Sequence, residues 1–579
     1  MRPVRDGAQV GGGGHPRPGR PGARRFGHRG LPEGPLMFVN HRTPDNTLRS
    51  WLALCVFAAV AAGWIAGVAL YYRLPASLFA RGLWYAARET PGIPALWLGP
   101  AVGLVLGILL FALCAKRYAN HFGGAVFVTR LRGPKMVSQT LLAEQTRKGS
   151  RQLRFAGIPI PKEVENTQFF VGGSTGTGKS VCISDYIESA VARHDRVICV
   201  DPDGASMRYF YAPGDVILNP FDQRSQGWSI FNEIRTSFDC EQYAISLIPR
   251  SPSTEQETWN SMGRTIVSET LTVLLRQGAG TTERLVYWLT TASNDDLKAL
   301  LAGTPASGCF HGAPDTLASI RTVLTQYITP HKYLPSGDFS FRDWLDAGKG
   351  SLWITWREDM LQALKPLISC WVDVTCASVL SMPEDPNRRL HLVCDELDSL
   401  EKLNYIIDAA TKGRKKGLRI MPGVQSLAQL NDIYGKDDAL TLRNCFRSAF
   451  LCGIGELDTY TAEEFSRGLG EHTVLRRAPS VSVGTAGSKG TISHRQDTER
   501  LVSPAEFHLL PNLTGYVKLA GNYPIARVTM KYKARTMVVA PMVMADGFHD
   551  RPQEENLLFS APTVAPTSGR GGVRAAATA

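Results

Sequence analysis

Gly173-Ser-Thr-Gly-Thr-Gly-Lys-Ser180 fits the pattern GxxxxGK[ST] at every fixed position. Glycines let a loop turn successive backbone N–H groups towards one point. A helix that begins where the loop ends adds its positive N-terminal end there. The pattern assigns Gly173, Ser174, Thr175, Gly176, Thr177, Gly178, Lys179 and Ser180 to a phosphate cradle. Lys179 supplies a mobile cation for the β- and γ-phosphates, and the Ser180 hydroxyl can ligate Mg²⁺. The apolar run Phe169-Phe170-Val171 leads in as a strand, and Val181 to Val191 leads out as a helix. That context separates a nucleotide site from a glycine-rich turn matching by accident.

A partner element lies downstream. Leu390-His-Leu-Val-Cys394 is a short apolar run closed by Asp395-Glu396. A strand buried on both faces that ends in two carboxylates suits a Walker B element. Asp395 is then expected in the Mg²⁺ shell, and Glu396 is expected to polarise the attacking water. Alone, a strand meeting an acidic turn would explain these residues equally well; beside a phosphate loop, ATP with Mg²⁺ is the stronger reading.

The chain has 579 residues, room for three or four domains, and a net charge of +12. Nine arginines against three acids in the first 50 residues account for half of that charge, so basicity is weak evidence for a nucleic-acid surface. The eleven cysteines show no CxxC pair and no metal spacing, as expected of small buried residues in a reducing compartment. Trp51 to Tyr72 carries no charge over 22 residues, and Ile93 to Ala115 is a second uncharged run. As a helix the first spans about 33 Å, against a bilayer core of about 30 Å. Aromatic residues lie towards the ends of both runs. Two spans so close together predict a membrane hairpin in contact with lipid. The basic residues flanking them outnumber Arg73, Arg81 and Arg88 of the connecting loop, which predicts both termini on the cytoplasmic side.

Residues 1–36 are rich in Gly, Pro and Arg and lack an apolar period, so residues 1–48 are expected to form a disordered basic tail, with Met37 a candidate true start. A hairpin over 49–118 follows, with spans about 51–72 and 93–115. From residue 119 strands and helices alternate, predicting a doubly wound α/β sheet over 119–234 and 346–540. The two nucleotide motifs stand about 215 residues apart. Residues 235–345 are helix-patterned and poor in strand signals, so they read as an inserted all-α domain. With nine Lys/Arg against eleven Asp/Glu, that insertion is no simple basic clamp for DNA. Residues 541–579 are expected to be a flexible tail.

From about residue 155 to 532 the chain resembles the conjugative coupling proteins of type IV secretion, the TraD/TrwB-like group. The resemblance rests on Leu218-Asn-Pro-Phe-Asp-Gln-Arg-Ser225, Trp353-Ile-Thr-Trp-Arg-Glu-Asp-Met360, Asp395-Glu-Leu-Asp-Ser-Leu-Glu-Lys402, Thr411-Lys-Gly-Arg-Lys-Lys-Gly417 and Gly423-Val-Gln-Ser426. It implies an α/β fold: a RecA-like P-loop NTPase domain with an inserted all-α domain, preceded by a two-helix transmembrane hairpin. It further implies a ring-shaped homo-hexamer in the bacterial inner membrane that spends ATP to move DNA, with a relaxase or relaxosome and the secretion channel proteins as partners. Lys179, Ser180, Asp395 and Glu396 match that family's Walker elements. Gln425 falls on its γ-phosphate-sensing glutamine, and Arg414 on its trans-acting arginine finger. Residues alone would also allow Arg414 to be a solvated helix end. One departure stands out: where the family can carry an arginine before the Walker lysine, this chain has Thr167. The competing readings are an FtsK/HerA-like chromosomal motor and a membrane docking adapter that uses ATP only to assemble. Among sequence signals there is no helix-turn-helix or zinc finger, so non-specific backbone contact with DNA is the expected mode.

Overall fold

Phe169, Phe170, Val171 and Gly172 are all buried, with alternate side chains feeding the two opposite faces of one sheet. The computed structural model describes residues 46–73, 79–117, 128–311, 314–484 and 487–546. The expectations for residues 1–45 and 547–579, Met37 among them, lie outside the described residues. The chain forms two compact units: residues up to 131 with 474–497, and residues 132–473 with 498 onward.

In the first unit, helices α1 (Asn46–Tyr72) and α2 (Leu98–Arg117) pack as a hairpin. Two segments are long and apolar enough to cross a membrane: Leu54–Tyr72 within α1, and Pro94–Leu113, which begins in the 3-10 turn before α2. The contact is made by stripes of small residues four apart: Ala59, Gly63 and Gly67 face Gly99, Gly103 and Gly107. A Cβ on Gly63 would stand 2.4 Å from Gly99 O, and one on Gly103 would stand 2.4 Å from Ala59 O. Only glycine allows this backbone-to-backbone approach, which is how helices associate where apolar burial supplies no drive. Leucines and valines cover the outer surface, among them Leu70, Val105 and Leu109, all exposed. Trp64 Nε1 donates to Thr90 Oγ1 at 3.1 Å and closes the loop end. The same unit holds residues 128–131 and 474–497 of the three-stranded sheet whose strands are Val128–Arg132, Glu471–Gly484 and Gly487–Arg500.

The second unit is built on a ten-stranded sheet. Its strands, in chain order, are β1 (Met136–Ser138), β2 (Phe169–Gly172), β3 (Arg196–Pro202), β4 (Val216–Leu218), β5 (Leu352–Trp356), β6 (Leu390–Cys394), β7 (Leu418–Val424), β8 (Ser448–Cys452), β9 (Thr514–Lys518) and β10 (Ile525–Thr529). They lie in the order β1-β10-β9-β8-β2-β7-β6-β3-β5-β4. The sheet is mixed, because β9 runs antiparallel to both β8 and β10. From β8 to β4 every pair is parallel. Parallel strands covered on both faces read as continuous apolar runs, and Leu390–Cys394 is buried at all five positions.

Helix α3 (Lys179–Val191) covers one face through Cys182, Ile183, Tyr186, Ile187 and Ala190. Helix α4 (Leu361–Ser381) covers the other. Length and composition alone would also let Glu358–Ser381 cross a membrane, but 83% of that segment is buried in the core of this unit. The helices Ser237–Leu247, Thr254–Arg276 and Pro314–Ile328 lie between β4 and β5. Their apolar side chains, such as Ile266, Leu271 and Leu324, join the same core as Ile198, Leu392 and Ile420 of the sheet. Beyond residue 540 the chain docks on the unit, with Gln223 N donating to Val543 O at 2.8 Å.

Candidate nucleotide-binding site

β2, β7 and β6 are neighbouring parallel strands, so their C-terminal ends open on one edge of the sheet. The loop Gly173–Gly178 leaves β2 there and enters α3 at Lys179. Gly176 and Gly178 take φ of +77° and +119°, a region that side chains with a Cβ avoid. The loop is fixed from outside. Ser174 N donates to Gly453 O at 2.9 Å, Gly455 N donates to Ser174 Oγ at 2.7 Å, and Leu513 N donates to Thr177 O at 2.9 Å. Lys179 is buried, and its ammonium donates to Gly173 O at 2.8 Å.

Asp395 and Glu396 follow β6 at the same edge. Burial pushes the Asp395 carboxyl above its ordinary value, while the Ser180 hydroxyl and the Lys179 charge beside it pull it back. Asp395 Oδ1 is buried and has no hydrogen-bond partner among the described residues. Burial likewise raises Glu396, helped by the charges of Asp395 and Asp398. Gln425, just past β7, ties these parts together. Its Nε2 donates to Glu396 Oε1 at 2.5 Å, and its Oε1 accepts from Thr175 Oγ1 at 2.8 Å.

Three further residues shape the site, and the sequence analysis did not single them out. Asp398 Oδ2 accepts from Gln425 N at 2.8 Å and Ser426 N at 3.2 Å, so it fixes the turn that presents Gln425. Its signal was available in the spacing Asp395-Glu396-Leu397-Asp398. Gly423 has no room for a side chain, because a Cβ there would stand 2.1 Å from Asp395 O. Asp201 ends β3 beside β6 and accepts from Ser206 N and Met207 N at 2.9 and 2.7 Å. Full burial pushes its carboxyl up to about 7, with Asp395 adding to the rise.

Arg414 stands apart from all of these. It lies in the turn Gly413–Lys416, before β7, whereas Gln425 follows β7. Six strand steps at about 3.3 Å separate those ends by about 20 Å, beyond the reach of any side chain. The turn is pinned: Arg419 Nη1 donates to Gly417 O at 2.8 Å and Arg388 O at 2.9 Å, and Arg388 Nη1 donates to Lys416 O at 2.8 Å. Arg414 itself is exposed and makes no side-chain hydrogen bond or ion pair with the described residues. Thr167 lies at the same far edge, two residues before β2, where its hydroxyl donates to Val164 O at 2.7 Å. The structure therefore brings together Gly173 to Ser180, Asp395, Glu396 and Gln425, and leaves Arg414 outside.

The donor set fits a magnesium–nucleotide. Amides around a loop, one buried cation, one hydroxyl and a carboxylate oxygen with no other partner are the groups a metal-bound triphosphate needs. Among the described residues no cluster of three or more His, Cys, Asp or Glu could hold a metal by itself.

Residues 152–531 match the family described as the type IV secretion-system coupling protein DNA-binding domain. The chain is 32% identical over 439 residues to the coupling protein TraD of Escherichia coli (strain K12), covering 72% of this chain and 59% of TraD. It is 25% identical over 201 residues to the type IV secretion system-coupling protein VirD4 of Bartonella henselae, covering 34% of this chain and 31% of that protein. The chain thus spans less than two thirds of either curated relative. Among solved structures, the conjugative coupling protein TrwBdeltaN70 with sulphate is 45% identical with a TM-score of 0.68, covering 73% of this chain and 99% of that one. TrwB in complex with ADP and Mg²⁺ is 44% identical with the same TM-score and the same coverage.

Proposed function

This chain belongs to the type IV secretion-system coupling protein family, and from that premise we propose that it is an ATP-driven DNA translocase of the bacterial inner membrane. In this reading it links a relaxase–DNA complex to the secretion channel in conjugation. Residues 49–118 anchor it with both termini in the cytoplasm. Residues 119–234 and 346–540 form the nucleotide-binding domain, 235–345 the all-α domain, and 1–48 and 541–579 the tails. Six copies form a ring.

The observation that carries the reading is the amide of Gln425 bridging Thr175 of the phosphate loop to Glu396. It joins the residues that would hold the phosphates to the carboxylate that would act on water. The loop amides and Lys179 bind the phosphates, while Ser180 and Asp395 hold the metal. Bound Mg²⁺ supplies charge neutralisation across the β- and γ-phosphate oxygens. Glu396 takes the proton of the attacking water, and Gln425 fixes the direction of that carboxylate. Arg414 acts on a neighbouring subunit's γ-phosphate, because its own site is about 20 Å away along β7. The complex of the relative TrwB with ADP and Mg²⁺ supports the choice of nucleotide and metal.

The test is ATP hydrolysis by the full chain in lipid nanodiscs, with and without single-stranded DNA. A motor is expected to hydrolyse faster with DNA, and the effect should weaken with salt as backbone contacts do. Hydrolysis indifferent to DNA would favour a docking adapter.

A further inference from the structure

Along the edge of the sheet opposite the phosphate loop, most basic side chains already have partners. Arg443 pairs with Glu464 at 3.1 Å, and Arg467 with Glu463 and Glu464 at 3.2 Å. Lys412 pairs with Asp408 at 2.7 Å, and Lys518 donates to Gly468 O at 2.5 Å. Arg447 is different. It is exposed, and its side chain makes no hydrogen bond or ion pair with the described residues, the same condition as Arg414. It stands at a cavity of about 620 Å³ floored by Phe170, Leu451 and Phe465. The other cations of that cavity are taken up by Glu464, Glu463 and a carbonyl, so the cavity is not an anion site by itself.

Arg447 and Arg414 are fixed to one another through residues 167 and 168. Arg447 N donates to Thr167 O at 3.1 Å, and Ser448 N donates to Gln168 O at 3.3 Å. Gln168 reaches the other way: its Nε2 donates to Ala410 O at 3.1 Å, and its Oε1 accepts from Ile420 N at 2.5 Å. Gln168 takes a φ of 59°, so this bridge is specified by the backbone as well. Arg447 immediately precedes β8, and Arg414 lies in the turn before β7. Only β2 stands between those strands, about 10 Å across the sheet, and the pairing of Ser448 with Phe169 and of Gly423 with Val171 sets the start of β7 three residues, about 10 Å, further along the edge, so the two starts are about 14 Å apart. Two long, uncommitted guanidinium groups thus project from one rigid edge.

We propose that Arg447 is a second trans-acting arginine, whose guanidinium meets the terminal phosphates of a nucleoside triphosphate held in the phosphate loop of a neighbouring copy, alongside Arg414. This rests on Arg414 acting in trans. A guanidinium offers paired donors that match two phosphate oxygens at once, and one without an internal partner gives up only water to do so. Two such groups brace a phosphoryl group from different directions, and the rigid edge sets their separation.

The test compares Arg447→Ala and Arg447→Lys with wild type in the full chain. A fluorescent ATP analogue should bind dilute Arg447→Ala with wild-type affinity, because the nucleotide loop is intact. Oligomer formation driven by a non-hydrolysable ATP analogue, followed by sedimentation, should require several-fold more protein. Hydrolysis should fall about a hundredfold to a thousandfold, the scale of one preorganised donor, with partial recovery in Arg447→Lys. Mixing Arg447→Ala with Lys179→Ala subunits should restore hydrolysis above either alone. Unchanged assembly and hydrolysis would overturn the proposal, as would weaker nucleotide binding to the dilute protein, or a loss confined to DNA affinity. Should Arg414→Ala complement Lys179→Ala while Arg447→Ala does not, this inference fails and the trans reading stands. Should neither complement, the trans reading itself has failed.

Discussion

Gln425 Nε2 donates to Glu396 Oε1 at 2.5 Å while the oxygen of the same amide accepts from Thr175 at 2.8 Å. A single side chain thus senses the phosphate loop on one side and holds the water-activating carboxylate on the other. Gln425→Ala should leave ATP binding near wild type and lower hydrolysis by about a hundredfold, the scale of losing one preorganised donor. Binding and single-turnover measurements separate the two effects. Hydrolysis within a factor of about two of wild type would remove Gln425 from the mechanism.

Glu396→Gln should bind ATP and hydrolyse it about 10²–10⁴-fold more slowly, since an amide cannot take a proton from water as a carboxylate does. Lys179→Ala should fail earlier. Its buried ammonium is the cation that the phosphates meet, so binding and hydrolysis should both be lost. Full turnover in either variant would move these roles elsewhere.

Glu396 also sets a pH dependence. Burial raises its carboxyl above the ordinary value of 4.5, and Asp395 and Asp398 add to the rise. The group works only when ionised, so the rate should fall with decreasing pH through a value above 4.5, not below it. The acid limb of kcat/KM against pH reports the nucleotide-free protein's group directly, and a limb at or under 4.5 would contradict it. Asp201 provides a matching stability test. Its carboxyl is raised from 3.8 to about 7 in the folded state, so the folded protein holds a proton that the unfolded chain has released. Wild-type stability should therefore fall relative to Asp201→Asn as pH rises from 3.8 to about 7, read as a shift in denaturation midpoint.

In the membrane hairpin, Gly103→Leu should force α1 and α2 apart, because a Cβ at that position already meets Ala59 O at 2.4 Å. The loop between the helices should be cleaved faster by protease in nanodiscs than in wild type. Equal cleavage rates would mean that the glycine stripe does not hold the hairpin.

Much of the nucleotide site was legible because its chemistry is contiguous. Gly173 to Ser180 and Asp395-Glu396 each combine a short apolar strand with a polar turn, and both signals are local. The alternating pattern from residue 119 and the helical insertion were readable for the same reason. What the sequence hid is non-local. Leu418 to Met421 reads as extended with Gln425 just after it, and β7 indeed spans Leu418–Val424, but which end of that strand meets the phosphate loop follows only from its pairing with β2, which leaves Arg414 at the opposite end. The strands Glu471–Gly484 and Gly487–Arg500 were not anticipated, since Pro479 and several glycines interrupt their alternation. The stripes Gly63, Gly67 and Gly99, Gly103, Gly107 were present in the sequence at i, i+4 spacing. Their meaning depends on which two helices meet.

In the proposed mechanism hydrolysis occurs between subunits, with Arg414 serving a neighbour's nucleotide. The most direct measurement mixes Arg414→Ala subunits, which keep Lys179, with Lys179→Ala subunits, which keep Arg414, in verified mixed oligomers. Either variant alone should be inactive, since a trans arginine is worth about 10³–10⁵ in rate in related phosphoryl transfer. Mixed oligomers should recover ATP hydrolysis, because some interfaces then pair an intact loop with an intact arginine. Verified mixed oligomers that recover none would contradict the account and return Arg414 to a solvated turn.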